Sequence, residues 1–190
     1  MLKIAIDFDS TLFPTLEKVL EIYNKKHDAN ISLSQIVTYS LHDSLGDYIA
    51  DELLDIFVDK TVYNNLQPYS NSIKTVKSLI EHGHDIYIAT SSDTESLQWK
   101  EQLLQKHFPF IPKKNLICIH DKSLLNVDAM IEDNMDNLMQ TFAERICFNQ
   151  PWNSSKEKDY VYSISRAYNW SDVINIINDI ERKNREWERQ

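Results

Sequence analysis

The stretch Lys3-Ile4-Ala5-Ile6-Asp7-Phe8-Asp9-Ser10-Thr11 decides how the chain is read, because a short apolar run ends in two aspartates one residue apart. Its length and β-branched content are those of a buried strand. If Asp7 stands just past the last paired residue, it lies where open α/β sheets place ligands, outside the carboxyl ends of the strands. Two carboxylates there repel, and one is pushed toward its protonated form unless a cation lies between them. The stretch therefore reads as a metal and nucleophile site. Phe8, between the aspartates, should turn the opposite way into the core.

Downstream of this run, helical patterns dominate up to Pro68. Leu16, Val19, Leu20 and Tyr23 follow Thr15, a fair N-cap, at helical spacing, and the pattern ends near Asp28. A short helix is possible at Ser34–Tyr39. Leu45, Tyr48, Ile49, Leu53, Ile56 and Phe57 form a 3.6-residue stripe, and a second short helix fits Lys60–Asn65. No convincing strand falls here, so residues 15–68 read as a helical insertion. Beyond it, apolar runs alternate with helices. Asn71 to His82 is helical, with Gly83 at its C-terminal end, and His84–Ala89 is a second strand. A helix capped by Asp93 or Thr94 runs to about His107. Asn115–Ile119, Asp128–Ile131 and Arg145–Phe148 are further strands, with a short helix at Met135–Phe142. Tyr160–Ile164 is a candidate edge strand, and the last helix starts after Ser171 as N-cap and frays into the charged Glu181–Gln190 tail. This alternation predicts a three-layer α/β/α, Rossmann-like parallel sheet. Residues 1–14 and 69–190 would be the core, and 15–68 a small inserted helical cap.

Composition narrows the partners. The 190 residues, 42% hydrophobic, suffice for one well-cored domain. A net charge of −9 with only short basic clusters disfavours a polynucleotide, whose backbone needs a Lys/Arg stripe. A single phosphate group remains compatible, since one cation and one lysine can outweigh a distant negative field. No run of about 18 apolar residues or secretory leader is present, which predicts no membrane partner. Two cysteines without CxxC spacing suit a reducing cytoplasm. Gly46 and Gly83 are the only glycines, so the glycine-rich nucleotide loops are ruled out. The sequence leaves the oligomeric state open, a homodimer included.

Four polar features follow apolar runs: Asp7 with Asp9, Thr90-Ser91, Lys122, and Glu132-Asp133. In one parallel sheet all four would share an edge. Each alone has a duller explanation: a turn, a helix cap, a surface lysine. Together, in this order and at strand ends, they point to phosphoryl transfer. The six histidines show no paired ligand spacing, and only His120 lies near these features in sequence. Of the insertion's aromatics, Tyr39 and Tyr63 do not fit the main stripe and are the better candidates for stacking on a substrate.

Asp-x-Asp-x-Thr, a strand ending in Thr-Ser, a lysine and a strand ending in an acidic pair resemble the haloacid dehalogenase-like phosphohydrolases over nearly the whole chain. The helical insertion, Ile88-Ala89-Thr90-Ser91, Asp121-Lys122, Ile131-Glu132-Asp133-Asn134 and the loop Asn149-Gln150-Pro151-Trp152-Asn153 further resemble the 5′(3′)-deoxyribonucleotidases of bacteria and phages. The resemblance implies Mg²⁺-dependent hydrolysis of a small phosphorylated substrate, a nucleoside monophosphate, through an aspartyl-phosphate. Asp7 would be the nucleophile and Asp9 the general acid and base. Thr90, Ser91 and Lys122 would hold the phosphate. Asp7, the Asp9 carbonyl and Asp133 would hold the metal, with Glu132 and Thr11 supporting them from behind. Glu132 departs from the Asp-Asp pair of the characterised nucleotidases, and its longer arm could shift the metal.

Overall fold

The computed structural model describes residues 1–155 and 157–187. Six parallel strands form one sheet in the order β3-β2-β1-β4-β5-β6. They are β1 (Lys3–Ile6), β2 (Asp85–Thr90), β3 (Leu116–Cys118), β4 (Ala129–Glu132), β5 (Glu144–Phe148) and β6 (Ser165–Ala167). The opening run therefore becomes a central strand. Ile4 pairs with Ile86 on one side and Ala129 on the other, and Ile6 with Ile88 and Ile131. Being covered on both faces, β1 and β4 are apolar almost throughout, as central parallel strands must be. The strand order reverses direction between β1 and β4, which makes their carboxyl ends the switch-point crevice of a doubly wound sheet.

The helices are α1 (Thr15–His27), α2 (Leu41–Leu45), α3 (Asp47–Phe57), α4 (Lys60–Tyr63), α5 (Ser72–Glu81), α6 (Thr94–His107), α7 (Met135–Gln140), α8 (Glu157–Tyr162) and α9 (Trp170–Trp187). Between β1 and α5 the described residues form helices α1–α4 and one 3₁₀ turn, Leu33–Gln35, in place of the helix read at Ser34–Tyr39. The chain leaves the sheet at Leu12 and returns at Tyr69, whose amide donates to the Leu12 carbonyl at 3.1 Å. Leu16, Val19 and Leu20 of α1, Leu53 of α3 and Val62 of α4 join the same apolar core as Ile4, Ile6 and Ile88.

Several boundaries differ from the sequence reading. Gly46, at φ +79°, divides the Leu45–Phe57 stripe into α2 and α3. Thr15 is the first helical residue of α1 rather than its cap. Asn169, not Ser171, caps α9: its Oδ1 accepts from the amides of Ser171 and Asp172 at 2.8 and 3.1 Å. The edge strand expected at Tyr160–Ile164 lies later, at Ser165–Ala167, and Tyr160–Tyr162 belongs to α8. Ser163, at φ +53°, ends that helix. A paired Arg166–Asp159 contact, two bonds of 2.8 Å, then ties α8 to β6. Of the expected Glu181–Gln190 tail, Glu181 to Trp187 is helical and the remainder lies outside the described residues.

Candidate active site

The loop after β1 is built so that Asp7 and Asp9 face one way and Phe8 the other. The Asp7 amide still donates to the Ile131 carbonyl at 2.9 Å, so Asp7 is locked to β4 one residue past its own strand. Phe8 is fully buried and stacks on Phe13 with 4.5 Å between ring centroids. Ser10 adopts φ +55°, in the left-handed region that a non-glycine residue visits at a cost. Two side chains from the far half of the sequence hold this turn. Gln150 donates to the Ser10 carbonyl at 2.5 Å, and the Trp170 indole to the Thr11 carbonyl at 3.2 Å.

The end of β4 delivers Glu132 and Asp133 beside Asp7. Ligand atoms of Asp7, Glu132 and Asp133 lie within 4.8 Å of one another, and all three residues are buried. Lys122, 3% exposed, donates to Asp7 Oδ1 and, at 2.5 Å, to Glu132 Oε2. Glu132 is further held by Asn137 and by the amides of Asp133 and Asn134. Asp133 accepts from the Trp152 indole at 3.0 Å and from the Thr11 hydroxyl at 3.3 Å, and Asn153 donates to its carbonyl at 2.8 Å.

Three buried carboxylates therefore cluster beside one ammonium, which contacts two of them, Asp7 and Glu132. Burial first, then the charges of Glu132 and Asp9, push the Asp7 carboxyl up to about 7 despite the opposing effect of Lys122. Asp133 is pushed well above the usual range by burial and by Glu132 and Asp7. Burial alone would lower the Lys122 ammonium, but Asp7 and Glu132 more than offset it and keep it charged. The donor set is all oxygen, compact and short of positive charge. It fits a hard divalent cation, which would return Asp7 and Asp133 to their ionised forms.

On the other flank, β2 ends in Thr90, fully buried, followed by Ser91, whose hydroxyl donates to the Ile119 carbonyl at 3.1 Å. A cavity of about 420 Å³ opens above this edge. Asp7, Asp9, Ser91, Lys122, Glu132 and Asp133 line its floor, and Leu16, Ile36, Leu41, Leu54 and Phe57 make an apolar wall. Tyr39, 59% exposed, stands at the wall and also borders a smaller neighbouring cavity. Tyr63 is core instead, its hydroxyl donating to the Phe57 carbonyl at 3.0 Å. His120 is exposed, and the histidine that borders the cavity is His42.

Asp7, Asp9, Thr11, Thr90, Ser91, Lys122, Glu132 and Asp133 thus meet at one sheet edge, whereas Tyr63 and His120 do not line the cavity. Missing from that list were Trp152, Asn153 and Asn137, which brace the acidic pair, and Lys100. The Lys100 ammonium reaches Asp9 Oδ2 at 2.5 Å and Thr90 Oγ1 at 2.9 Å. One signal for it was available. Ser96, Lys100, Leu103 and Leu104 recur at helical spacing and form the buried face of α6, so the lysine occupies a core position.

The chain has similar sequences and folds among known proteins. The chain is 29% identical over 182 residues to a Staphylococcus epidermidis protein provisionally named a 5′(3′)-deoxyribonucleotidase, covering 95% of this chain and 98% of that one. It is 25% identical over 174 residues to the 5′(3′)-deoxyribonucleotidase of Bacillus subtilis, covering 90% and 95%. In fold it is similar to a HAD family hydrolase from Deinococcus radiodurans solved with bound phosphate and sodium. The TM-score is 0.67 at 12% identity, over 94% of this chain and 96% of that one. The family model for 5′ nucleotidase, deoxy (pyrimidine), cytosolic type C proteins matches residues 1–184. The chain belongs to that family, and with it to the phosphomonoesterases of the haloacid dehalogenase-like fold.

Proposed function

We propose that this phosphomonoesterase hydrolyses (deoxy)ribonucleoside 5′-monophosphates by way of a phosphoryl group carried on Asp7. The observation that carries the reading is the meeting of Asp7, Asp133 and Lys122, from three separate chain segments, within one buried cluster. In the first step a carboxylate oxygen of Asp7 attacks phosphorus. The ester P–O bond breaks, its electron pair leaves on the nucleoside oxygen, and that oxygen takes a proton from the Asp9 carboxyl. In the second step Asp9 takes a proton from water as the water oxygen attacks phosphorus. The P–O bond to Asp7 then breaks, inorganic phosphate is released, and Asp7 is free again.

Thr90, Ser91 and Lys122 are assigned to gripping the phosphate oxygens. The Asp7 and Asp133 carboxylates and the Asp9 carbonyl are assigned to Mg²⁺, with Thr11 and Glu132 restraining them. When bound, that ion supplies neutralisation of the carboxylate cluster and of the charge on the transferring phosphoryl group. Residues 15–68 are taken as the cap over a core of residues 1–14 and 69–190. The apolar wall of Ile36, Leu41, Leu54 and Phe57 belongs to this segment, and it supports a substrate with an apolar body such as a nucleoside. The two cysteines are free, and no helix among the described residues is long and apolar enough to cross a membrane, in keeping with a cytoplasmic enzyme acting on a diffusible substrate.

The test is phosphate release from a panel of nucleoside 5′-monophosphates, 3′-monophosphates and sugar phosphates, with and without MgCl₂. Nucleotides should rank first, and only with the metal. Sugar phosphates ranking equally would remove the substrate assignment while leaving the chemistry. The variant Asp7→Asn should release no phosphate yet remain folded, and activity retained in that variant would remove Asp7 as the nucleophile.

A further inference from the structure

Lys100 is 1% exposed in the middle of α6, and the other large side chains buried to that degree, Phe8 and Ile88 among them, are apolar. None of the proposed steps uses it. Its ammonium lies 5.3 Å from the Phe8 ring centroid and makes two short contacts, with Asp9 Oδ2 and with Thr90 Oγ1. The Ser91 carbonyl stands at the margin, 3.5 Å away. A buried ammonium is costly unless charge and hydrogen bonds compensate it. Here the compensation comes from the ends of two different strands, and from the two groups that must act on opposite ends of one phosphoester.

The hydrogen-bonding logic is one-sided. An ammonium has donors and no acceptor, so Thr90 Oγ1 must accept from it. The Thr90 proton is then directed elsewhere, and the hydrogen bond it donates, to the Ser91 carbonyl, is long at 3.5 Å. That leaves the proton available to a phosphate oxygen. On Asp9, Lys100 occupies Oδ2, while Oδ1 has no hydrogen-bond partner among the described residues, and Asp9 borders the cavity. One carboxyl oxygen is anchored and the other is left over.

We propose that Lys100 is a positioning residue: it fixes the Asp9 carboxyl and the Thr90 hydroxyl in one frame, so that acid and phosphate grip are set together before substrate arrives. The inference rests on the reading of Asp9 as the proton donor to the leaving group. It predicts that the loss on removing Lys100 depends on the leaving group, which a general folding defect would not produce.

The experiment measures kcat/KM of Lys100→Met on two substrates with the same preparation, in saturating Mg²⁺. A nucleoside 5′-monophosphate expels an alkoxide that needs a proton. Aryl p-nitrophenyl phosphate expels a stabilised phenolate that does not. The ratio of the two values is independent of the folded fraction. A misplaced acid forfeits on the order of 10²-fold in rate, so the ratio of nucleotide to aryl phosphate should fall by about that factor relative to wild type. Thr90→Val should weaken both substrates alike and leave the ratio near the wild-type value. Equal loss on both substrates in Lys100→Met, or a ratio lowered as much by Thr90→Val, would overturn the assignment. If Lys100→Met does not fold, Lys100→Gln, which keeps a donor and loses the charge, is read by the same ratio. A wild-type enzyme inactive on both substrates would instead remove the underlying reading of the site.

Discussion

Replacing Lys122 by Met removes the ammonium that Asp7 and Glu132 share, and the structure fixes both the size and the pH dependence of the result. Lys122, Asp7 and Glu132 are all buried at the cavity floor, so deleting the ammonium leaves two poorly solvated carboxylates without their counter-charge. Breaking a buried ion pair by deleting one partner costs about 3–5 kcal/mol. A proton can replace part of the lost charge, and Asp7 is the group placed to take it. Its carboxyl lies near 3.8 when exposed and is pushed up to about 7 in the fold. The wild-type native state therefore holds more protons than the unfolded chain, and stability present at low pH is lost as pH rises through 7. Without Lys122 the Asp7 carboxyl moves higher still, and the native variant keeps its proton across pH 5.5 to 8. Integrated over that interval, the extra retained proton amounts to roughly 1.4 kcal/mol. The deficit of Lys122→Met should thus be about 3 kcal/mol or more at pH 8, and smaller at pH 5.5 by about that 1.4 kcal/mol. Urea unfolding followed by tryptophan fluorescence in EDTA, on both proteins at both pH values, measures it. A deficit below about 1 kcal/mol that does not change with pH would refute the placement of Lys122 as the counter-charge of the cluster.

Two further outcomes follow from buried charge. Adding MgCl₂ should raise the thermal midpoint, by about 2.7 kcal/mol of stabilisation at a hundredfold excess over the dissociation constant. The shift should be larger at pH 8 than at pH 6, because protons compete for Asp7 and Asp133, and it should vanish in Asp133→Asn; an undiminished shift in that variant would place the ion elsewhere. His84 is buried and accepts from the Leu2 amide through Nδ1, so the ring is neutral, and burial lowers its pKa despite nearby Glu181. A depressed folded value means that stability is complete above 6.5 and declines as pH falls below it, by at most about 1.4 kcal/mol per unit. Calorimetry from pH 7.5 to 5.5 should show that decline in the wild type and a flatter profile in His84→Gln.

What could be read in the sequence shares a physical character. Asp7, Asp9, Thr90, Lys122 and Asp133 each follow an apolar run, and a parallel sheet aligns the ends of its strands without further information. The helices α1 and α3 were legible because Leu16, Val19, Leu20 and Tyr23 on one, and Ile49, Leu53, Ile56 and Phe57 on the other, recur at helical spacing. Gly46 was overlooked as a break because the apolar stripe continues across it, although a φ of +79° is what glycine supplies most readily. Tyr160–Ile164 misled for the opposite reason: a five-residue aromatic and β-branched run fits a strand or a helix equally well. The pairing that ties this helix to β6, Arg166 with Asp159, spans two elements and carries no local signature.

Lys100 shows where local reading stops. At the end of a strand, a charge is conspicuous because the neighbouring residues are apolar and the strand has a known end. In a helix a lysine is ordinarily a solvated residue, and α6 has polar residues on most of its surface, so a charge there attracts no notice. Only the face distinguishes it, and that face is defined by Leu103 and Leu104 one turn later. Its partners, Asp9 and Thr90, are 91 and 10 residues away. The same holds for Trp152 and Asn153, which reach Asp133 from beyond β5. The residues assigned to the chemistry are thus fixed by where strands end, whereas those that restrain them arrive from helices and loops whose approach depends on the whole packed sheet. Changes among the restraining residues should therefore alter how well the site is set, while leaving its list of reacting groups the same.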